Sequence, residues 1–149
     1  MSPRSSAHPR FLLDINVLLA LVDPAHVHHT LADRWFSKAE AWATCAITEN
    51  GFVRILSNPA YPGVHLRPVE AAALLSAFTR VRKHAFFHDV VTLRDRRRFY
   101  LEKVAPAQLT DVYLLGLAVA AGGVLATFDT RIPTGAVEGG PAALEIIGG

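Results

Sequence analysis

Cysteine is almost missing from this chain: Cys45 is the only one in 149 residues. No internal disulfide can form, and a zinc site built on several thiolates is excluded. Long apolar runs are missing as well. No stretch reaches the roughly 20 residues that span a bilayer, and the longest candidates are interrupted by Asp14 or Asp111. The first ten residues are polar, with Arg4, Arg10 and two prolines, and carry neither an apolar signal segment nor a small-residue cleavage site. A flexible tail over residues 1–10 of a cytoplasmic protein, with no membrane contact, is the expectation. Charge is sparse, at 19% of residues against 51% hydrophobic, which excludes a disordered chain. Because no repeat, linker or low-complexity tract divides the sequence, a single domain over residues 1–149 with a sizeable core is expected.

The charge that is present is unevenly placed. A net charge of +2 and a pI near 9.0 lean weakly towards an anionic partner. Arg80, Arg82 and Lys83 form one basic cluster, and Arg94, Arg96, Arg97 and Arg98 another. Such runs are commonly solvated faces, but they also suit phosphate contacts.

The stretch from Phe11 to Val22 is apolar except for Asp14 and Asn16, and reads as a buried strand running into a helix. Asp14 then stands at the junction, where unpaired backbone N–H groups favour an anion and where Asp is also a good N-cap. Apolar spacing at Val27, Leu31, Trp35 and Phe36 predicts a helix over residues 26–38. His26, His28 and His29 lack the spacing that puts two imidazoles on one helix face, so packing and hydrogen bonding at a helix start explain them. A strand over 41–46 leads into a helix over 47–56, with Thr48 as cap and Glu49 in the first turn. Residues 60–67 read as a loop, and Pro68 at a first helical position opens a helix over 69–81. A third strand is expected over 86–91 and a short helix over 93–100. Residues 109–121 are apolar nearly all round and predict a buried helix capped by Thr110, with Asp111 in its first turn and Gly122-Gly123 at its end. A fourth strand over 124–127 delivers Asp129, and residues 144–147 make a last, edge strand. This alternation predicts an α/β three-layer sandwich: a mostly parallel sheet of four to five strands flanked by helices.

In a parallel α/β sheet, ligands bind beyond the carboxyl ends of the strands. Asp14 and Asp129 follow strands directly, while Glu49 and Asp111 begin helices at the same edge. All four are therefore expected on one rim. Each alone is explained by capping or by the helix dipole; four at topologically equivalent points favour one site. Clustered carboxylates raise one another's pKa and call for a cation between them. Hard oxygen ligands suit Mg²⁺ or Mn²⁺, which can activate water and stabilise the leaving oxygen of a phosphoryl displacement. Asn16 would hydrogen-bond the metal's water or the substrate phosphate, and Thr127 would orient Asp129 or a water.

Taken together, Leu13-Asp14-Ile15-Asn16-Val17-Leu18, Thr48-Glu49, Thr110-Asp111 and Thr127-Phe128-Asp129 resemble the acidic quartet of PIN-domain nucleases. The chain length, the order of these motifs and the segment from His26-Val27-His28-His29 to Trp35 resemble a VapC-type toxin of a bacterial toxin–antitoxin pair. The likeness runs from about Phe11 to Ile147. It implies a PIN-like fold and Mg²⁺- or Mn²⁺-dependent endoribonuclease activity, with Asp14, Glu49, Asp111 and Asp129 as catalytic metal ligands. It also implies a homodimer, a VapB-like antitoxin whose tail covers the acidic groove, and an RNA of the translation machinery, transfer RNA or a ribosomal RNA loop, as substrate. On that reading Arg96, Arg97 and Arg98 would bind substrate phosphates without choosing sequence, and Tyr100 is a candidate stacker for an unpaired base. Two positions depart from the family pattern. Ile15 stands where many members carry Thr, and Thr130-Arg131-Ile132 follows Asp129 where an Arg-led turn is commoner.

Three other readings compete. A phospho-receiver signalling module would want an adjacent acidic pair after the first strand and a Lys after the last. A haloacid-dehalogenase-like phosphatase would need Asp-x-Asp where this chain has Asp14-Ile15-Asn16. A metal-free α/β binding protein would use the acids as caps only.

Overall fold

The computed structural model describes residues 8–148. Most of the expected tail, residues 1–7, lies outside the described residues. Arg10, assigned to that tail, instead opens the first strand, and its guanidinium donates to the carbonyls of Trp42 and Lys83 at 3.1 and 2.8 Å.

The strands are β1 (Arg10–Leu13), β2 (Ala41–Cys45), β3 (Lys83–Phe87), β4 (Val124–Thr127) and β5 (Leu144–Ile146). The helices are α1 (Ile15–Val22), α2 (His29–Phe36), α3 (Ala46–Leu56), α4 (Pro68–Phe78) and α5 (Leu109–Ala120). The strands form one parallel sheet in the order β3-β2-β1-β4-β5. The chain first builds outward from β1 to β3, then crosses back to place β4 on the other side of β1. That reversal opens a crevice beyond the carboxyl ends of β1 and β4, which is where ligands of such sheets sit.

Two cores lie on opposite faces of the sheet. On one, Leu13, Ala126 and Trp42 pack with Val17, Leu18, Phe52, Leu56 and Leu75 from α1, α3 and α4. On the other, Leu12, Ala43 and Leu125 pack with Val112, Leu114, Leu115 and Ala118 of α5, and with Phe99 and Val137. The central strands are apolar on both faces because both faces are covered. Helix α5 has apolar residues nearly all round for the same reason: it lies between the sheet and the irregular segments at 99–104 and 132–143. Among the described residues no helix is long and apolar enough to cross a membrane.

Several boundaries differ from the sequence reading, each for a local reason. Helix α2 starts three residues late because the preceding backbone is committed elsewhere. The Asp23 side chain accepts from the Ala25 N–H at 3.0 Å, and His26 Nδ1 accepts from the His28 N–H at 3.0 Å. Val27 is consequently outside the helix and 86% exposed. Helix α3 starts at Ala46, not Ile47, and Thr48 is not its cap. Thr48 sits in the first turn and its hydroxyl accepts from the Cys45 N–H at 2.9 Å.

Likewise Thr110 is inside α5, whose start is set by a 3₁₀ turn over Pro106–Gln108. Strand β3 comes earlier than expected, at Lys83, where its carbonyl takes Arg10 and its backbone pairs with Ala41–Cys45. Helix α4 stops at Phe78 so that the chain can turn through Arg82 (φ 54°), whose guanidinium donates to the carbonyls of Phe36 and Ala39. The expected helix over 93–100 is absent. Asp95 takes the Arg97 N–H into a tight turn, and Phe99 is buried against Gly116. A side chain pinned in the core on one side and bridged to Val137 on the other fixes an irregular backbone.

Candidate active site

Asp14 lies one residue beyond β1, and its own N–H still extends the ladder to Ala126 O at 3.0 Å. It is 8% exposed and caps α1, with Oδ1 accepting from the Ile15 N–H at 2.8 Å. The other oxygen, Oδ2, accepts from the Thr127 hydroxyl at 2.8 Å. Thr127 ends β4 and is itself buried; its oxygen also accepts from the Asp129 N–H at 3.1 Å. One hydroxyl thus fixes the carboxylate after β1 and the turn after β4 relative to each other. Within that turn, Asp129 Oδ1 accepts from the Arg131 N–H at 2.8 Å and faces its Nε at 3.4 Å. Asp111 comes from the first turn of α5, half-buried, and takes no hydrogen bond among the described residues.

These three carboxylates line one cavity of about 210 Å³ at the β1/β4 crevice, with Asn16, Thr110 and Thr127. Its apolar walls are Ile15, Ile55 and Phe128. The electrostatics follow from that crowding. Burial pushes the Asp14 carboxyl up, the bonds from Thr127 and Ile15 pull it down, and Asp129 pushes it up further. Asp111 is raised to about 6, first by burial and then by Asp14 and Asp129, with Arg131 opposing.

Glu49 is not in this cavity. Its Oε2 accepts the Thr44 hydroxyl at 2.6 Å, and that oxygen is in turn 2.8 Å from His84 Nε2. Glu49 instead lines a groove between α3 and α4, with Val53, Leu75 and Phe86. The expected convergence of four acids is therefore a convergence of three. Two positions along a helix are about 200° apart around its axis, so α3 cannot present Glu49 to the face that carries Gly51. Gly51 is the position turned to α1, and the Ile15 side chain packs directly over it. Ile15, the apolar departure from the family pattern, fills the space that a side chain at position 51 would need. A helical wheel drawn from Ile55 and Phe52 could have found this.

The arginines stand apart. Arg96 and Arg97 are exposed and Arg98 half-buried in the turns before Phe99, and none lines the carboxylate cavity. Tyr100 donates its hydroxyl to Glu138 at 2.6 Å, with the Arg97 carbonyl 3.1 Å away as the alternative acceptor.

The donor set suits a hard divalent cation: carboxylate, carboxamide and hydroxyl oxygens, with no Lys among the cavity-lining residues. Among the described residues no group of three acidic, His or Cys side chains is drawn together tightly enough to hold an ion unaided. Mg²⁺ keeps several of its own waters and asks for only one or two carboxylates.

A parallel sheet with three acids at its β1/β4 crevice is the architecture of a particular class. Residues 11–137 match the PIN domain family, and the chain belongs to it. Among relatives, it is 44% identical to Ribonuclease VapC44 of Mycobacterium tuberculosis over 87% of this chain and 93% of that protein. It is 42% identical to Ribonuclease VapC39 of the same organism over 86% and 94%. Among solved structures, Mycobacterium tuberculosis VapC20, described as a sarcin–ricin loop cleaving toxin, superposes with a TM-score of 0.57 at 14% identity, covering 86% of this chain and 96% of that one. DNA-bound VapBC from Salmonella typhimurium gives 0.53 at 16% identity, covering 93% and 98%.

Proposed function

We infer that the chain is a VapC-type ribonuclease toxin whose site is Asp14, Asp111 and Asp129, served by Mg²⁺ or Mn²⁺. The observation that carries this is the meeting of three carboxylates from three separate elements at one cavity. Structural capping accounts for Asp14 but not for Asp111, which is raised to about 6 and has no hydrogen-bond partner among the described residues. Relatives named as ribonucleases at 44% and 42% identity support the substrate class.

The reaction is hydrolysis of a phosphodiester: water adds to phosphorus in line with the departing ribose oxygen, giving a phosphate monoester and a free hydroxyl. When bound, the divalent ion supplies neutralisation of the phosphate and a lowered pKa for the attacking water. The protein's share is positioning. Asp14 is held by Thr127 and by the α1 N-terminus in a single orientation. Asp129 keeps Oδ2 free while Oδ1 is anchored by Arg131. Asp111, which takes no hydrogen bond among the described residues, keeps both oxygens for the ion or one of its waters. Asn16, exposed at the mouth, offers a carboxamide to a phosphate oxygen. Glu49, anchored to Thr44, has no part in this set.

The likeness to VapC20 and VapBC supports an RNA of the translation machinery as substrate and a VapB-like antitoxin as partner. Arg96, Arg97 and Arg98 would add sequence-independent phosphate contacts. A second copy of the chain has an apolar surface available at the α3/α4 groove, where Phe86 is exposed beside Val53 and Leu75. The test is cleavage of RNA by the wild type with Mg²⁺ or Mn²⁺, and its loss in folded Asp14→Ala and Asp129→Ala. Wild-type cleavage by either variant would remove that residue from the site.

A further inference from the structure

A second hollow, of about 450 Å³, adjoins the carboxylate cavity and shares Asn16, Phe128 and Asp129 with it. Its remaining walls come from His26 and His28, in the turn ahead of α2, and from Thr130 and Arg131. His28 occupies the N-cap position of α2, yet its side chain makes no capping bond. Among the described residues its ring nitrogens take no hydrogen bond; the imidazole lies instead against Phe128, with centroids 4.6 Å apart and planes inclined by 33°. The neighbouring histidines differ. His29 Nδ1 bonds the Ala20 carbonyl at 2.7 Å and ties α2 to α1. His26 Nδ1 accepts from the His28 N–H at 3.0 Å, so Nε2 carries the proton of its neutral ring. Of the three, only His28 has no bond that explains its identity.

We propose that this hollow is a nucleobase subsite, taking the base next to the scissile phosphate of a single-stranded RNA with its face stacked on His28. The proposal rests on the ribonuclease reading above. An imidazole backed by a phenyl ring is a platform of the kind on which unpaired bases stack. His26 Nε2–H is a donor for a base carbonyl or ring nitrogen. The Arg131 side chain is 87% exposed and engages Asp129 through Nε; its other guanidinium N–H groups remain for a phosphate oxygen. Asn16 belongs to both hollows, where a base would join its phosphate. The occupant must be unpaired, because a base inside a duplex offers no free face.

The test incubates wild type, His28→Ala, His28→Phe and His26→Ala with Mn²⁺ and a randomised single-stranded RNA pool, and sequences the ends produced. The wild type is expected to show a base preference at one position beside the cut. His28→Ala should weaken that preference about tenfold and leave other positions unchanged, while His28→Phe retains most of it. His26→Ala should change which base is preferred there, and decides the matter if His28→Ala does not fold. A loss confined to one position is not what general loosening of the turn would give. Identical preferences in wild type and the folded variants would overturn the subsite and leave the ribonuclease reading standing. No cleavage by the wild type would overturn that reading and the subsite with it.

Discussion

The sheet carries two clusters of polar side chains, and they are built on opposite plans. Beyond β1 and β4, Asp14, Asp111 and Asp129 face a shared cavity, and one of them has no protein partner among the described residues. On β2 and β3, Thr44 and His84 meet Glu49 from the first turn of α3, and the three satisfy one another through a buried hydroxyl. The same residue type therefore does two jobs at neighbouring places. A carboxylate whose oxygens are taken up by internal donors stabilises the fold; carboxylates crowded together with free lone pairs create a demand for a cation. Helical rotation decided which acids joined which.

The sharpest way to break this comparison is to remove one acid from each cluster. Asp14→Ala should lower metal-dependent RNA cleavage by about 10³-fold or more, whereas Glu49→Ala should stay within about threefold of wild type in the same single-turnover assay, given a folded protein. Equal losses would merge the two clusters into one site.

The arginines sharpen the comparison next. Replacing Arg96, Arg97 and Arg98 together by Ala should weaken RNA binding about tenfold at low salt. It should also flatten the salt dependence by about 0.7 in log–log slope for each lost phosphate contact. A filter-binding salt titration with unchanged slope would return them to a solvated surface role.

The cost of the two mutations in the metal-free protein should also differ in sign. Glu49→Ala leaves the fully buried Thr44 hydroxyl short of its acceptor, and should lower stability by about 1–2 kcal/mol in urea melts. Asp111→Asn should raise it by about 1 kcal/mol, after allowance for solvent screening. The sign follows from the shift. The folded protein holds the Asp111 proton more tightly than the unfolded chain, so this group's contribution falls as pH rises from its ordinary 3.8 towards about 6. The stabilisation by Asp111→Asn should accordingly vanish at pH 4 and reach its full size at pH 7. The same size at both pH values would contradict the assigned cause.

Much of the fold was legible before any coordinates. Apolar runs ending in Asp14 and Thr127 marked β1 and β4, and Gly122-Gly123 marked the end of α5. Alternation of strand and helix patterns pointed to a mostly parallel sheet, and all five strands pair in parallel. What local pattern could not supply was anything decided by distant partners. Strand β3 is placed by Arg10 and β2, seventy-odd residues away for the Arg10 contact. The turns at 93–99 are fixed by burial of Phe99 against Gly116. At the site, Asp14 and Asp129 were readable from the ends of β1 and β4, and Asp111 from the first turn of the buried helix α5. Glu49 lines a different groove, because nearness to a helix start does not fix which way round that helix faces.

Calorimetric titration of Mn²⁺ into the wild type, Asp129→Asn and Glu49→Gln proteins tests the central claim most directly. Saturable uptake by the wild type and by Glu49→Gln, with at least tenfold weaker binding by Asp129→Asn, is the predicted result. Absence of uptake by the wild type, or its loss in Glu49→Gln with Asp129→Asn unaffected, would contradict a cation site at the β1/β4 crevice.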